Sequence, residues 1–241
     1  MQNHSRQWLL VFGVLLGWVS LSLQGCIGRG PSVRAPLGER TVQDVLDLYG
    51  PAAEQRLVPY FHRAGVLYPP AALALLGFKA EKRLEVWAGH QGAWAFIRAY
   101  GIEATSGTAG PKLREGDYQV PEGMYAIGAL NPNSQFHLSL RLDYPNTVDR
   151  QQAALEGREQ LGGDIFLHGK DVSAGCLAMG DAAIEELFVL VVRTGIERVA
   201  VLLAPYDFRQ HAVERDSSRP AWVEALYGEI HRELGQFTRS P

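Results

Sequence analysis

A mostly β domain flanked by helices, an α+β arrangement, is what this sequence predicts, and three observations carry it. Two-residue alternation and β-formers fill the middle of the chain. Helix-spaced apolar stripes lie before and after them, and an apolar run of strand length, Val199-Ala200-Val201-Leu202-Leu203, follows the second stripe.

Taken in order, the first stripe begins after Thr41, which with Asp44 three residues on has the pattern of a helix start. Val42, Val45, Leu46 and Tyr49 share one face before Gly50-Pro51 breaks it. A second helix is expected from Ala52 to about Arg63, with Leu57, Val58 and Phe61 inward, and Tyr68-Pro69-Pro70 then turns the chain. The stretches Leu84–Trp87 and Trp94–Tyr100 read as strands around the turn Gly89-His90-Gln91-Gly92. From Ser106 to Asp117 the chain is glycine-rich, charged and too flexible for a core element, hence a loop on a sheet scaffold.

Met124–Ile127 and Phe136–Leu142 read as two more strands, the second with Phe136, Leu138, Leu140 and Leu142 on one face and His137, Ser139 and Arg141 on the other. That polar face suits either solvent or a cleft wall. Asp164–Leu167 is a strand leading to His168. Asp181 is expected to cap a helix that buries Ile184, Leu187, Phe188 and Val191 and stops at Gly195, and a last helix from about Pro220 should bury Trp222, Leu226, Ile230 and Leu234. Trp87 and Trp94 read as core.

Composition narrows the function. With 23 basic and 26 acidic residues the net charge is −3, and no basic stripe interleaved with aromatics points to nucleic acid. Arg6 precedes an apolar stretch from Trp8 to Leu23, which ends at Gly25-Cys26, the anatomy of a signal peptide. Leu23-Gln24-Gly25-Cys26 resembles the bacterial lipobox, in which the cysteine is lipidated and becomes the new N-terminus. Ile27 rather than Asp follows, so the expected location is the periplasm, lipid-anchored to the outer membrane. An uncleaved membrane anchor and plain cleavage are the alternatives.

The chain holds two cysteines. With Cys26 acylated, Cys176 is an unpaired thiol in an exported protein, which calls for a reason. His168 stands eight residues upstream, at a strand's end, and an imidazole able to take the thiol proton would make Cys176 a nucleophile. Gly175 lets a substrate carbonyl approach the backbone, and the N–H groups of Gly175 and Cys176 are candidate oxyanion donors. Ser173 supports the loop or the histidine. Arg141 and Lys170 are candidate partners for substrate carboxylates, against the alternative of solvated surface charge. His137, near the cleft, is a strand residue rather than a second base. A zinc site built from His168, Cys176, Asp171 and His137 matches no zinc motif, so no metal and no cofactor is expected.

The run His168-Gly169 followed by Ser173-Ala174-Gly175-Cys176 resembles the signature of the L,D-transpeptidase (YkuD-type) family, with its upstream His-Gly and downstream Ser/Thr-x-Gly-Cys. Val120-Pro121-Glu122-Gly123-Met124-Tyr125 is similar to that family's substrate-side segment. Asn131–Leu140 with Tyr144-Pro145-Asn146 resembles its YafK-like branch. Ala174 stands where many members have a second histidine, and Leu177-Ala178-Met179 where many have Arg or Asn.

The resemblance implies a β-sandwich or barrel catalytic domain with Cys176 as nucleophile, His168 as base and the Gly169 carbonyl orienting the imidazole. It places Tyr125 on the substrate side. The implied organisation is a signal peptide over 1–25, a lipid-anchored tether over 26–37, a helical preface over 38–80, the catalytic domain over 81–210 and a C-terminal helix over 211–241. The implied substrates are peptidoglycan stem peptides, opened at an amide through a thioester. An amine acceptor makes the enzyme an acyltransferase. Water makes it a hydrolase that releases a peptide or a peptidoglycan-linked lipoprotein. A wall-binding module without catalysis is the remaining alternative.

Overall fold

The structure is a computed structural model, and it describes residues 39–214 and 216–239. Cys26 and the segments expected to be a signal peptide and a tether lie outside the described residues. Among the described residues no helix is long and apolar enough to cross a membrane.

Among the described residues nine strands form one sheet, accompanied by four α-helices: α1 (Val42–Arg63), β1 (Leu73–Phe78), β2 (Arg83–His90), β3 (Ala93–Gly101), β4 (Ala104–Thr105), β5 (Gly123–Asn131), β6 (Ser139–Leu142), α2 (Thr147–Leu155), β7 (Phe166–His168), β8 (Leu177–Ala178), α3 (Asp181–Thr194), β9 (Val199–Ala204) and α4 (Trp222–Leu234). The strand order is β3-β2-β1-β9-β5-β6-β7-β8-β4, with β1/β9 and β7/β8 parallel and the other pairs antiparallel. The mostly β architecture with flanking helices is the one the sequence predicts.

Pleating sorts the apolar residues onto two faces. Leu73 and Leu75 of β1, with Val199, Val201 and Leu203 of β9, face Leu57 and Phe61 of α1 and Ile184, Leu187 and Phe188 of α3. Ala74, Leu76 and Phe78, with Leu202 and Ala204, face Leu226, Tyr227, Ile230 and Leu234 of α4. Both faces being covered, β1 and β9 are nearly continuous apolar runs, and each buried leucine contributes about 2 kcal/mol.

Several expectations need correction. α1 is a single 22-residue helix containing Pro51 and Pro59, not two helices parted at Gly50-Pro51. An interior proline costs about 3 kcal/mol. Against that, Val45, Leu46, Ala53, Leu57 and Phe61 form one continuous buried face, and ion pairs from Arg56 to Glu185 and Glu186 and from Arg193 to Glu54 fasten α1 to α3. Strand β1 lies inside the 38–80 segment read as a helical preface. Because β1 pairs with both β2 and β9, the boundary at 80/81 divides nothing. Its Leu- and Ala-rich run has no strand period to read.

The turn between β2 and β3 tightens to Gln91-Gly92, both with positive φ (49° and 81°), as a two-residue hairpin of right-handed twist requires. Helix α2, unforeseen, starts from a reciprocal cap between Asn146 and Asp149. The cap residue of α3 is Gly180, and Asp181 is its first helical residue, its carboxylate accepting from the Lys170 amide at 2.9 Å. Trp94 and Trp222 are half-buried, packed against the core on the α4 side rather than inside it, and the Trp222 indole N–H donates to Glu156.

Candidate active site

The parallel β7/β8 pair sets Leu167 beside Leu177 and His168 beside Ala178. Both leucines point into the core, at 0% and 1% exposure. Alternation therefore turns His168 to the opposite face, and Cys176, one register step before Leu177, shares that face diagonally from the histidine. On its other side β8 pairs with β4, Thr105 opposite Leu177, which brings Ser106 beside the start of the cysteine strand.

His168 is 2% exposed and its Nδ1–H donates to the Gly169 carbonyl at 2.6 Å. A carbonyl brings no proton of its own, so Nδ1 carries the hydrogen and Nε2 keeps its lone pair. Phe136 lies against the ring, centroids 4.6 Å apart. Burial holds the imidazole below its ordinary value, with the Gly169 bond opposing. The ring thus rests neutral, in the tautomer a base needs. Glycine is demanded at 169 by space: a Cβ there would stand 2.6 Å from the Phe136 carbonyl oxygen and 2.6 Å from an Asp181 carboxylate oxygen.

Cys176 is partly exposed, and its thiol donates to the Asp164 carbonyl at 3.7 Å. Burial pushes the thiol above its ordinary value. The Phe166 main chain and Lys112 pull against that, and Asp164 adds to it. The resting pair is accordingly thiol and neutral imidazole, not thiolate and imidazolium, and no hydrogen bond joins them directly. The sign follows: iodoacetamide alkylation of Cys176 is expected to keep rising with pH beyond about 8.5, the usual cysteine value, with no plateau near neutrality. A plateau below pH 7 in alkylation rate against pH would show a preformed ion pair instead.

Ser173 Oγ accepts from the Cys176 amide at 3.2 Å and donates to the Cys176 carbonyl at 2.6 Å, closing the nucleophile's turn. Gly175 has φ +104°, and a Cβ there would meet the Gln119 carbonyl oxygen at 3.5 Å and Ile165 Cδ1 at 3.8 Å, both ordinary contacts. Within the chain, backbone conformation is what calls for a glycine here. Neither candidate oxyanion amide is free as expected. The Cys176 N–H is taken by Ser173, and the Gly175 N–H donates to Ser106 Oγ at 2.6 Å.

The remaining candidates scatter. Arg141 ion-pairs at 3.4 Å with Asp164, whose carbonyl faces the thiol, so it lies at the rim. Lys170 is exposed in a left-handed turn (φ +58°) just past Gly169. His137 turns away: Phe136 to Leu138 precede β6 as a turn, His137 has φ +77°, and its Nε2 bonds Glu185 on α3 at 3.0 Å. The polar strand face imagined for His137, Ser139 and Arg141 does not form, since Ser139 is 2% exposed. Tyr125 is a core side chain, closed to substrate, its hydroxyl donating to the Glu122 carbonyl and to Asp149. Within the Val120–Gly123 motif, Glu122 is buried and paired with Lys79 at 2.9 Å.

Sequence reasoning missed Ser106, Phe136 and the Asp164 carbonyl. Each reaches the site through a strand pairing or a turn that no local pattern announces. The loop from Ser106 onward was flagged, yet its polar residues are anchors: Lys112 and Asp117 pair at 2.6 Å, and Asp117 also accepts the Leu113, Arg114 and Gln119 amides.

A sheet face carrying a cysteine beside a carbonyl-oriented histidine has the parts that nucleophilic thiol chemistry uses. The sequence profile of the L,D-transpeptidase catalytic domain (YkuD) matches residues 75–201, and the chain belongs to that family. It is 32% identical over 135 residues to the Escherichia coli (strain K12) protein named "Putative L,D-transpeptidase YafK", covering 55% of this chain and 52% of that one. The chain thus spans about half the length of the curated relatives it matches. Among solved structures, the helical cell shape determining protein Pgp2 from Campylobacter jejuni is 24% identical, with a TM-score of 0.47 over 56% of this chain and 48% of that one. Mycobacterium tuberculosis L,D-transpeptidase 1 is 12% identical, with a TM-score of 0.32 over 55% and 61%.

Proposed function

We propose that this chain remodels peptidoglycan by L,D-transpeptidase-type acyl transfer, opening a stem-peptide amide beside a D-configured centre through a Cys176 thioester. The observation that carries the reading is the buried, neutral His168, fixed by the Gly169 carbonyl with Nε2 as its free lone pair, on the sheet face that bears Cys176. As sulfur attacks the carbonyl carbon, the thiol proton passes to Nε2 and the carbonyl π pair moves onto oxygen. Return of that pair breaks the C–N bond, and the imidazolium gives its proton to the departing amine. An incoming amine, such as that of a neighbouring diaminopimelate, then attacks the thioester, loses its proton to His168 and expels the thiolate, which recovers that proton.

Arg141 and Lys170, at and beyond the rim, suit substrate carboxylates. The anatomy of residues 1–26 supports a periplasmic location with a lipid anchor at Cys26 in the outer membrane. The test is to incubate the protein with intact sacculi, with and without attached lipoprotein, and identify products by mass. A new cross-link is the expected product. Released peptide or lipoprotein without cross-linking would make water the acceptor and the enzyme a hydrolase.

A further inference from the structure

Any thioester formed at Cys176 passes through a tetrahedral oxyanion, which needs donors close to the nucleophile. The backbone offers two, the amides of Gly175 and Cys176, and hydroxyls close off both. Ser173 is fully committed, since its oxygen accepts from the Cys176 amide while its proton goes to the Cys176 carbonyl. Ser106 is different. Its oxygen accepts from Gly175 at 2.6 Å, and among the described residues its own proton has no acceptor.

We propose that the Ser106 hydroxyl is the oxyanion donor of this site, relaying the Gly175 amide to the developing charge. An O–H whose oxygen already accepts an N–H is polarised and donates more strongly. Position and rigidity fit the role. Pairing of β4 with β8 sets Ser106 beside the nucleophile's turn, its hydroxyl 2.6 Å from the amide nitrogen of the residue before Cys176, and the residue is half-buried rather than sealed in the core. The next residue, Gly107, has φ +84° and lies against Gln119, where any side chain would collide. Gln119 in turn accepts from the Thr108 amide at 3.0 Å, so the hydroxyl is carried on a clamped loop. Such a donor needs no reorganisation when charge develops.

The inference rests on Cys176 being the nucleophile, and two reactions of that thiol separate the claims. Acylation by p-nitrophenyl acetate forms an oxyanion; alkylation by iodoacetamide forms none. In both, intact mass counts the adducts and peptide mapping by mass locates them. Ser106→Ala is expected to slow acylation on the order of 10²-fold while alkylation at the same pH stays near wild type, and Ser106→Thr, which keeps the hydroxyl, should recover most of the acylation rate. Unchanged or faster acylation in Ser106→Ala would mean that the freed Gly175 amide serves directly, and overturns the proposal. So would a parallel fall in both reactions, which marks a merely structural serine. A wild-type chain that alkylates at Cys176 but never acylates there defeats the nucleophile reading, and this inference with it.

Discussion

Replacing Cys176 with alanine is expected to reduce processing of sacculi to background, a loss on the order of 10⁶-fold as for other covalent nucleophiles, while leaving the fold intact. The side chain is partly exposed and its hydrogen bond to the Asp164 carbonyl is a long 3.7 Å contact, so little stability depends on it. A thermal unfolding midpoint near wild type alongside lost product formation is the predicted pair of measurements. Activity surviving in Cys176→Ala would refute thioester chemistry. The remaining pH dependence follows from the histidine. Burial keeps it below its ordinary value, so the neutral base is available from below about pH 6.5 upward. kcat/KM should therefore rise on an acid limb below that pH and stay level through neutrality.

The largest effect on stability is expected at Lys79. Its ammonium, on the residue that follows β1, donates to the carbonyls of Gly110 and Val120, each at 3.0 Å, and to Glu122 at 2.9 Å, so all three protons are used. Glu122 also accepts the Gly110 amide and the Tyr227 hydroxyl of α4. The two side chains are 6% and 0% exposed. Lys79→Met would strand a buried carboxylate, at a cost of about 3–5 kcal/mol. Urea unfolding measures it. Lys79→Met with Glu122→Gln should regain a substantial part, because the charge left unpaired is what costs most. A single substitution costing less than about 1 kcal/mol would contradict this account. The consequence for function is direct: Gly110 and Val120 bracket the loop that carries Gln119 and follows Ser106, so loosening the network loosens the clamp beside Gly175.

The same network shows what the Val120–Gly123 segment leaves unsaid when read alone. Its glutamate is polar, in a polar stretch, and nothing local distinguishes a carboxylate that meets substrate from one that meets a lysine 43 positions earlier. His137 is parallel. The alternation from Phe136 to Leu142 is a sound strand pattern, yet the chain enters β6 only at Ser139, and the imidazole is bonded to Glu185 of α3. The histidine and cysteine were legible because their pattern is compact: His-Gly, then Ser-x-Gly-Cys, within nine residues.

By itself the sequence determined the elements whose signals are short-range: the Thr41–Asp44 cap, the hairpin of β2 and β3, the apolar stripe of α3, the strand β9, and the pairing of a nucleophile motif with its base. Tertiary structure decided the rest. It carried α1 through Pro51, made an unreadable Leu-Ala run the interior strand β1, and set Ser106 against Gly175 from 69 residues away. The physical reason is common to all three. A cap, turn or stripe involves groups within a turn or two of one another. A buried charge, a helix-breaking residue or a hydroxyl in a site takes its energy from partners brought near only by the folded sheet.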